Sequence, residues 1–259
     1  MKRDLYFSKP LMNAAGSLGF APDTRLGIPF DSLGAFVTNP ISLRSRKPAA
    51  QPEIIEYPGG FLLHSGLPNP GFNAGIKRYA PRWDKSDVPV IVHLMADRPE
   101  ETQRMVQMLE ICENVMAAEL GFAPLLADDI LLLTLEMSVG ELPLIFCLPV
   151  EQVLGLGPRL IQEGAQAISI SAPRGALPLL KEAETRGRDL VTGRLYGPSL
   201  FPRALETVYS AAKLGLPIIG AGGVWTKENA EAMLSAGALA VQVDAVLWGA
   251  SWLSQSSME

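Results

Sequence analysis

The chain is expected to belong to the α/β class, as a single (β/α)8 TIM barrel over residues 1–259. Three observations lead there. Its 259 residues are 48% hydrophobic and only 19% charged, enough to bury one large core and too apolar for long disordered tails. Eight short apolar runs recur along the chain, most of them separated by segments of helical period, the pattern of parallel strands with crossover helices. The clearest unit is Pro217 to Asp244. In it an apolar run breaks into Gly222-Gly223, a helix follows with Thr226 as N-cap and Glu228 in its first turn, Gly237 ends that helix, and a second buried run spans Ala240 to Val243. When such a unit closes a barrel, the loops after its last two strands offer backbone N–H groups where a phosphate can sit.

In chain order, Pro10 to Ala14 is the first strand and runs into the small residues Ala15-Gly16-Ser17-Leu18-Gly19. Gly34 to Thr38 is the second. Arg44, Arg46 and Lys47 read as a solvated basic loop. Strand character surrounds Pro58-Gly59-Gly60, Ser65 to Gly71 is a compact turn, and Phe72 to Trp83 is helical. Val88 to Leu94 is the third strand. Pro99-Glu100-Glu101 opens a helix whose one face carries Met105, Leu109 and Cys112. Val115 to Leu120 is the fourth strand, with a weak helix over about Leu125 to Leu135. Pro143 to Leu148 is the fifth, and the helix after it, running to Glu163, should be shortened or distorted by Gly155, Gly157 and Pro158. Ala167 to Ser171 is the sixth. Ala172 to Leu200 shows no helical period and reads as a lid or binding loop, and Pro202 to Leu214 is the helix before the closing unit.

Composition narrows the function. A net charge of −5 gives no basic excess for nucleic acid. Two cysteines in apolar segments fit a reducing compartment, and the N-terminus places an acid where a signal peptide needs its apolar core, so a cytoplasmic protein is expected. Ile130 to Val150 is broken by Glu136, Gly140, Glu141 and Pro143, which argues against a membrane span. With two histidines and two cysteines, none at ligand spacing, no metal site is expected.

Gly193-Arg-Leu-Tyr-Gly-Pro-Ser-Leu-Phe-Pro-Arg-Ala-Leu205, the Gly222-Gly223 unit and Ala236 to Val243 resemble the dihydroorotate dehydrogenase family. Asn13 to Gly19, Gly34 to Thr38 and Gly59 to Gly71 match in the same order. The resemblance implies FMN at the carboxyl end of the barrel, oxidation of dihydroorotate to orotate in pyrimidine biosynthesis, and commonly a homodimer. It places Ala15, Gly16, Thr38, Gly197, Gly222 and Gly223 against the cofactor, and His64, Ser65, Gly66 and Leu67 in the substrate turn.

Several positions depart from the family's pattern. Asn39 stands where a lysine follows the second strand, and Leu63 where an asparagine binds orotate. Gly121 to Ala127 replaces the loop that supplies the base, and it offers no serine, threonine or cysteine. Cys147 takes the place of the fifth-strand lysine, and Asp244-Ala245 that of the Gly-Thr pair that binds phosphate. A positioned base is worth roughly 10²–10⁴ in rate. A preorganised charge of the lysine's kind is worth about 3–4 kcal/mol. Each orotate polar atom buried without a partner costs about 1–3 kcal/mol. Dihydroorotate is therefore a poor candidate substrate, and Asp244 would repel a phosphate dianion unless it turned away or took a proton.

Candidate replacements are few. His93 lies near the carboxyl end of the third strand, where barrel enzymes place catalytic groups, although a lone histidine more often bonds locally. Cys147 is either a redox thiol or a small core residue, and Asp128 and Asp129 are either a base or solvated helix-start acids. Three functions remain open. The first is a divergent FMN oxidoreductase with an altered small-molecule substrate or reduced activity. The second is a non-catalytic, ligand-binding or structural paralogue, and the third an enzyme using the barrel mouth for another phosphorylated compound.

Overall fold

The computed structural model describes residues 4–178 and 190–248. Their strands and helices run, in chain order, β1 (Leu11–Asn13), β2 (Phe36–Val37), β3 (Glu53–Tyr57), β4 (Gly60–His64), α1 (Phe72–Trp83), β5 (Val90–Met95), α2 (Pro99–Leu109), β6 (Val115–Gly121), α3 (Asp128–Ser138), β7 (Leu144–Leu148), α4 (Val150–Glu163), β8 (Ala167–Ile170), β9 (Arg174–Pro178), β10 (Leu190–Tyr196), α5 (Phe201–Lys213), β11 (Ile218–Gly220), α6 (Lys227–Ser235) and β12 (Ala240–Val243). Eight parallel strands lie side by side in the order β1-β12-β11-β8-β7-β6-β5-β2, with helices between most of them. This is the (β/α)8 barrel read from the apolar runs.

The barrel closes between β1 and β2, where backbone pairing is thin. One bridge, Met12 to Ala35, and the bond from the Gly34 N–H to the Leu11 carbonyl (2.8 Å) join the edges. Asn13, fully buried, completes the seam. Its amide Nδ2 donates to the Val37 carbonyl (2.7 Å) and its Oδ1 accepts from the Val37 N–H (2.9 Å), so one side chain makes the two bonds a neighbouring backbone would have made.

Inside the barrel a dry layer is built from Met12, Val37, Ile91, Ala117, Ile145, Ala167, Ile219 and Ala240, all fully buried. The larger core lies between the strands and the helices, where Trp83, Phe36, Phe72 and Phe146 are its largest fully buried side chains. The helices obey their stripes. In α6 the Thr226 hydroxyl accepts from the Asn229 N–H and the Asn229 amide returns a bond to the cap, while Ala230 and Met233 face inward.

Four details differ from the sequence reading. Helix α4 runs unbroken for 14 residues despite Gly155, Gly157 and Pro158. Its buried stripe Val153, Leu156, Gly157 and Leu160 outweighs local propensity, and a Cβ on Gly157 would come 3.2 Å from the Leu216 side chain. Helix α3 begins at Asp128 rather than Leu125, and α2 ends before Cys112, which is buried in the following turn. The segment from Ala172 to Leu200 is not a plain loop. Its ends form β9 and β10, which join the β3–β4 hairpin in a four-stranded antiparallel sheet ordered β3-β4-β10-β9; residues 179–189 lie outside the described residues.

Candidate functional site

Side chains alternate along a strand, so stepping two residues up each strand from the dry layer gives the next layer of the interior. Ile91 leads to His93, Ala117 to Glu119, Ile145 to Cys147, Ala167 to Ser169, and Ala240 to Gln242. On these five strands the interior changes within one step from apolar to polar or thiol-bearing, while the same step on β1 and β11 reaches Ala14 and Ala221. That polar layer floors a cavity of about 490 Å³ at the carboxyl ends of the strands. Ala14 and Ala15, the Gly121–Leu126 loop, Gly222 and Asp244 form its sides. Arg174, Arg194 and Tyr196 bring the antiparallel sheet against it. The sheet is tied down by aromatic contacts: Phe61 stacks on Tyr196 (5.4 Å between centroids), both approach the Trp248 ring, and the Trp248 indole donates to the Ser17 carbonyl (2.9 Å).

Glu119 is the centre of the floor and is fully buried. Its Oε1 accepts from the Ser169 hydroxyl (2.6 Å) and the Gln242 amide (2.7 Å), and its Oε2 lies 2.6 Å from Nδ1 of His93. Burial pushes the carboxyl up. The hydrogen bonds from His93, Ser169 and Gln242 outweigh burial and hold Glu119 below the usual carboxylate range. An ionised carboxylate only accepts, so His93 donates through Nδ1–H. The histidine is 2% exposed, and its backbone N–H is fixed by the Thr38 hydroxyl (3.0 Å). Its other nitrogen, Nε2, lies over Gly121, where an added Cβ would come within 2.4 Å. Sequence reading passed over Glu119 because it sits in an apolar run. The signal was available in its register: a charged residue two positions beyond Ala117 must point into the barrel.

Cys147 faces the same cavity as a neutral thiol. Burial and the Glu119 charge push it up to about 12, against smaller opposing effects of Ser169 and Arg194. Tyr196 is also raised, first by burial, with Arg194 opposing and Asp244 adding. Asp128 and Asp129 are exposed at the start of α3 and do not line the cavity.

The other positions expected at a ligand divide. Ala15 and Gly222 line the cavity, and Gly16 and Gly222 have φ of +95° and +102°. Gly16, Thr38, Gly197 and Gly223 are not among the residues that line it. Gly197 is required where β10 crosses the hairpin turn, since a Cβ would lie 2.4 Å from the Gly59 carbonyl oxygen. Gly223 is required by the first turn of α5, with a Cβ 2.3 Å from the Phe201 nitrogen. His64, Ser65, Gly66 and Leu67 do not reach the cavity. His64 Nδ1 is 2.8 Å from the Thr192 carbonyl within the antiparallel sheet, and the turn after it packs on the Arg46–Ala49 loop.

At the far end, Asp244 is 8% exposed, and its Oδ1 accepts from the N–H of Ala245 at 2.5 Å. Burial pushes this carboxyl up to about 6, against its backbone hydrogen bonds. Among the described residues no group of three or more histidine, cysteine, aspartate or glutamate side chains could hold a metal ion, and no helix is long and apolar enough to cross a membrane.

Fold and cavity together define an α/β barrel with a cavity at the carboxyl ends of its strands, polar groups gathered at the bottom. The family described as dihydroorotate dehydrogenase matches residues 3–122 and 170–255. The chain is 30% identical over 251 residues to the protein of Geotalea uraniireducens (strain Rf4) named "Dihydroorotate dehydrogenase B (NAD(+)), catalytic subunit", covering 90% of this chain and 82% of that one. Proteins of the same name from Trichlorobacter lovleyi and Petrotoga mobilis are each 29% identical, over 254 and 251 residues, covering 92% of this chain and 84% of theirs. The chain belongs to the dihydroorotate dehydrogenase family.

For the family's FMN the residues fit in part. Ala14 and Ala15 leave room for a flat ring along one wall, and Gly222 opens a turn beside it. The phosphate end does not fit while Asp244 is ionised. The N–H of Ala245 that would meet a phosphate already serves the Asp244 carboxylate, and a second anion there would be repelled.

Proposed function

We propose that this chain is a flavin-type oxidoreductase of the family turned to a small organic anion other than dihydroorotate, with its grip on the cofactor phosphate weakened at neutral pH. The observation that carries the reading is the cavity floor. Where the resemblance places a lysine there is a neutral thiol, Cys147, and the ionisable groups are instead His93 and Glu119. Arg174 and Arg194, from the antiparallel sheet, supply the positive charge that an anionic substrate needs. The naming of the relatives as catalytic subunits supports work with a second, different chain, beside the homodimer that the resemblance implies. The test is optical. Protein incubated with excess FMN at pH 6 should show bands near roughly 375 and 450 nm after gel filtration, and dihydroorotate should not bleach them under anaerobic conditions. Rapid bleaching would return dihydroorotate as the substrate. No bound flavin at any pH would favour a second reading, a paralogue that binds ligand without redox chemistry, which the self-capped Asp244 supports.

A further inference from the structure

We propose that His93 is the proton carrier of the cavity and Glu119 its positioning residue. Four observations converge. First, the pair is short and enclosed: Nδ1 to Oε2 is 2.6 Å, with side chains 3% and 0% exposed. Second, Glu119 cannot swing away, because Ser169 and Gln242 hold its other oxygen from β8 and β12. Third, the main chain that carries the ring is held by the bond from the backbone N–H of His93 to the Thr38 hydroxyl. Fourth, among the described residues the ring's hydrogen bond is made through Nδ1, not Nε2, and His93 and Gly121 both line the cavity. Gly121 is what lets Nε2 stand there, since any Cβ at that position would come within 2.4 Å of it.

The chemistry follows from the tautomer. With hydrogen on Nδ1, shared with Glu119, Nε2 carries a free lone pair. It takes one proton from an acidic O–H, N–H or activated C–H of the bound ligand, and the electron pair of the broken bond stays on the ligand. The resulting imidazolium is paired with Glu119, which remains a carboxylate throughout. The reverse transfer returns the proton. A tyrosine, serine or threonine could not do this at neutral pH without a base of its own, and the Cys147 thiol is held neutral.

This assignment deepens the reading given above, and its test uses the protein without flavin so that the two can fail separately. The chain has two histidines, so His64→Asn leaves His93 as the single imidazole. Nitrogen-15 NMR of that variant at pH 8 should show hydrogen on Nδ1 and a bare Nε2. Diethyl pyrocarbonate should then acylate Nε2, and both Glu119→Gln and Gly121→Ala should slow that acylation by about tenfold or more. Hydrogen on Nε2 at pH 8, or a His93 that resists acylation in the protein with wild-type Glu119 and Gly121, would reduce the pair to an internal strut and overturn the proposal. Glu119→Gln acylated as fast as its parent would remove Glu119 from the role. If flavin never binds, these measurements still decide what His93 does.

Discussion

The two ends of the cavity have been solved in opposite ways. At the floor, Glu119 gathers three partners from three other strands, and both of its carboxylate oxygens are hydrogen-bonded. At the far end, Asp244 is almost as deeply buried, yet its carboxylate is met by the backbone N–H of the very next residue. The first carboxyl is consequently held low and the second pushed up to about 6. Burial alone therefore decides neither the charge of an acid nor its use; the number of donors brought to it from other strands does.

The sharpest way to break this contrast is to remove the floor's centre. Glu119→Ala would strand the His93, Ser169 and Gln242 donors in the interior, and we expect a loss of about 3–5 kcal/mol in denaturant unfolding. A loss below about 1 kcal/mol would mean that water or repacking satisfies those groups, and that the floor is no more tightly built than the far end.

Asp244→Asn should act in the other direction. Because the folded chain raises this acid from 3.8 to about 6, the parent suffers no cost below pH 4 and an increasing one as pH rises through 6. The variant should thus be more stable by about 3 kcal/mol at pH 8 and equal to the parent near pH 4. Melting curves at the two pH values test this, and a gain independent of pH would show that packing rather than charge separates the two side chains. By the same sign, FMN should bind the parent more tightly at pH 5 than at pH 8, with Asp244→Asn flattening that dependence in a fluorescence titration.

The smallest expected effect serves as a control. Thr226→Ala removes the cap of α6, just behind the Gly222-Gly223 turn, and should cost about 1 kcal/mol in stability without altering any pH dependence at the far end. If it alters FMN binding as strongly as Asp244→Asn, the turn and not the carboxylate governs that end of the cavity.

The contrast also explains what could be read from the chain and what could not. The eight barrel strands announce themselves because each is a short buried apolar run, and α1 because its apolar spacing and flanking turns are local. Strands β9 and β10 escape detection since β10 pairs with a strand more than a hundred residues earlier and β9 only with β10, and Arg174, Gly175, Thr192 and Gly193 carry no strand pattern of their own. Helix α4 departs from its local reading for the complementary reason: its glycines and proline argue locally, while the stripe that holds it packs on β8 and on Leu216, more than fifty residues further along. His93 stood out as a rare residue type. Glu119 did not, because a lone acid in an apolar strand looks like noise until the alternation is followed inward to its neighbours. Asp244 was legible by the family resemblance as a misfit, but that its carboxylate would turn back on Ala245 depends on a loop conformation no local pattern encodes.

The Asn13 seam carries a consequence for how this cylinder breathes. Every other pair of adjacent staves is laced by a run of main-chain bonds, whereas here a single bridge and one backbone bond are supplemented by a carboxamide. Deuterium should enter the Val37 amide sooner than those of Ile91 or Ile145, and the wall should part there first when the protein is warmed.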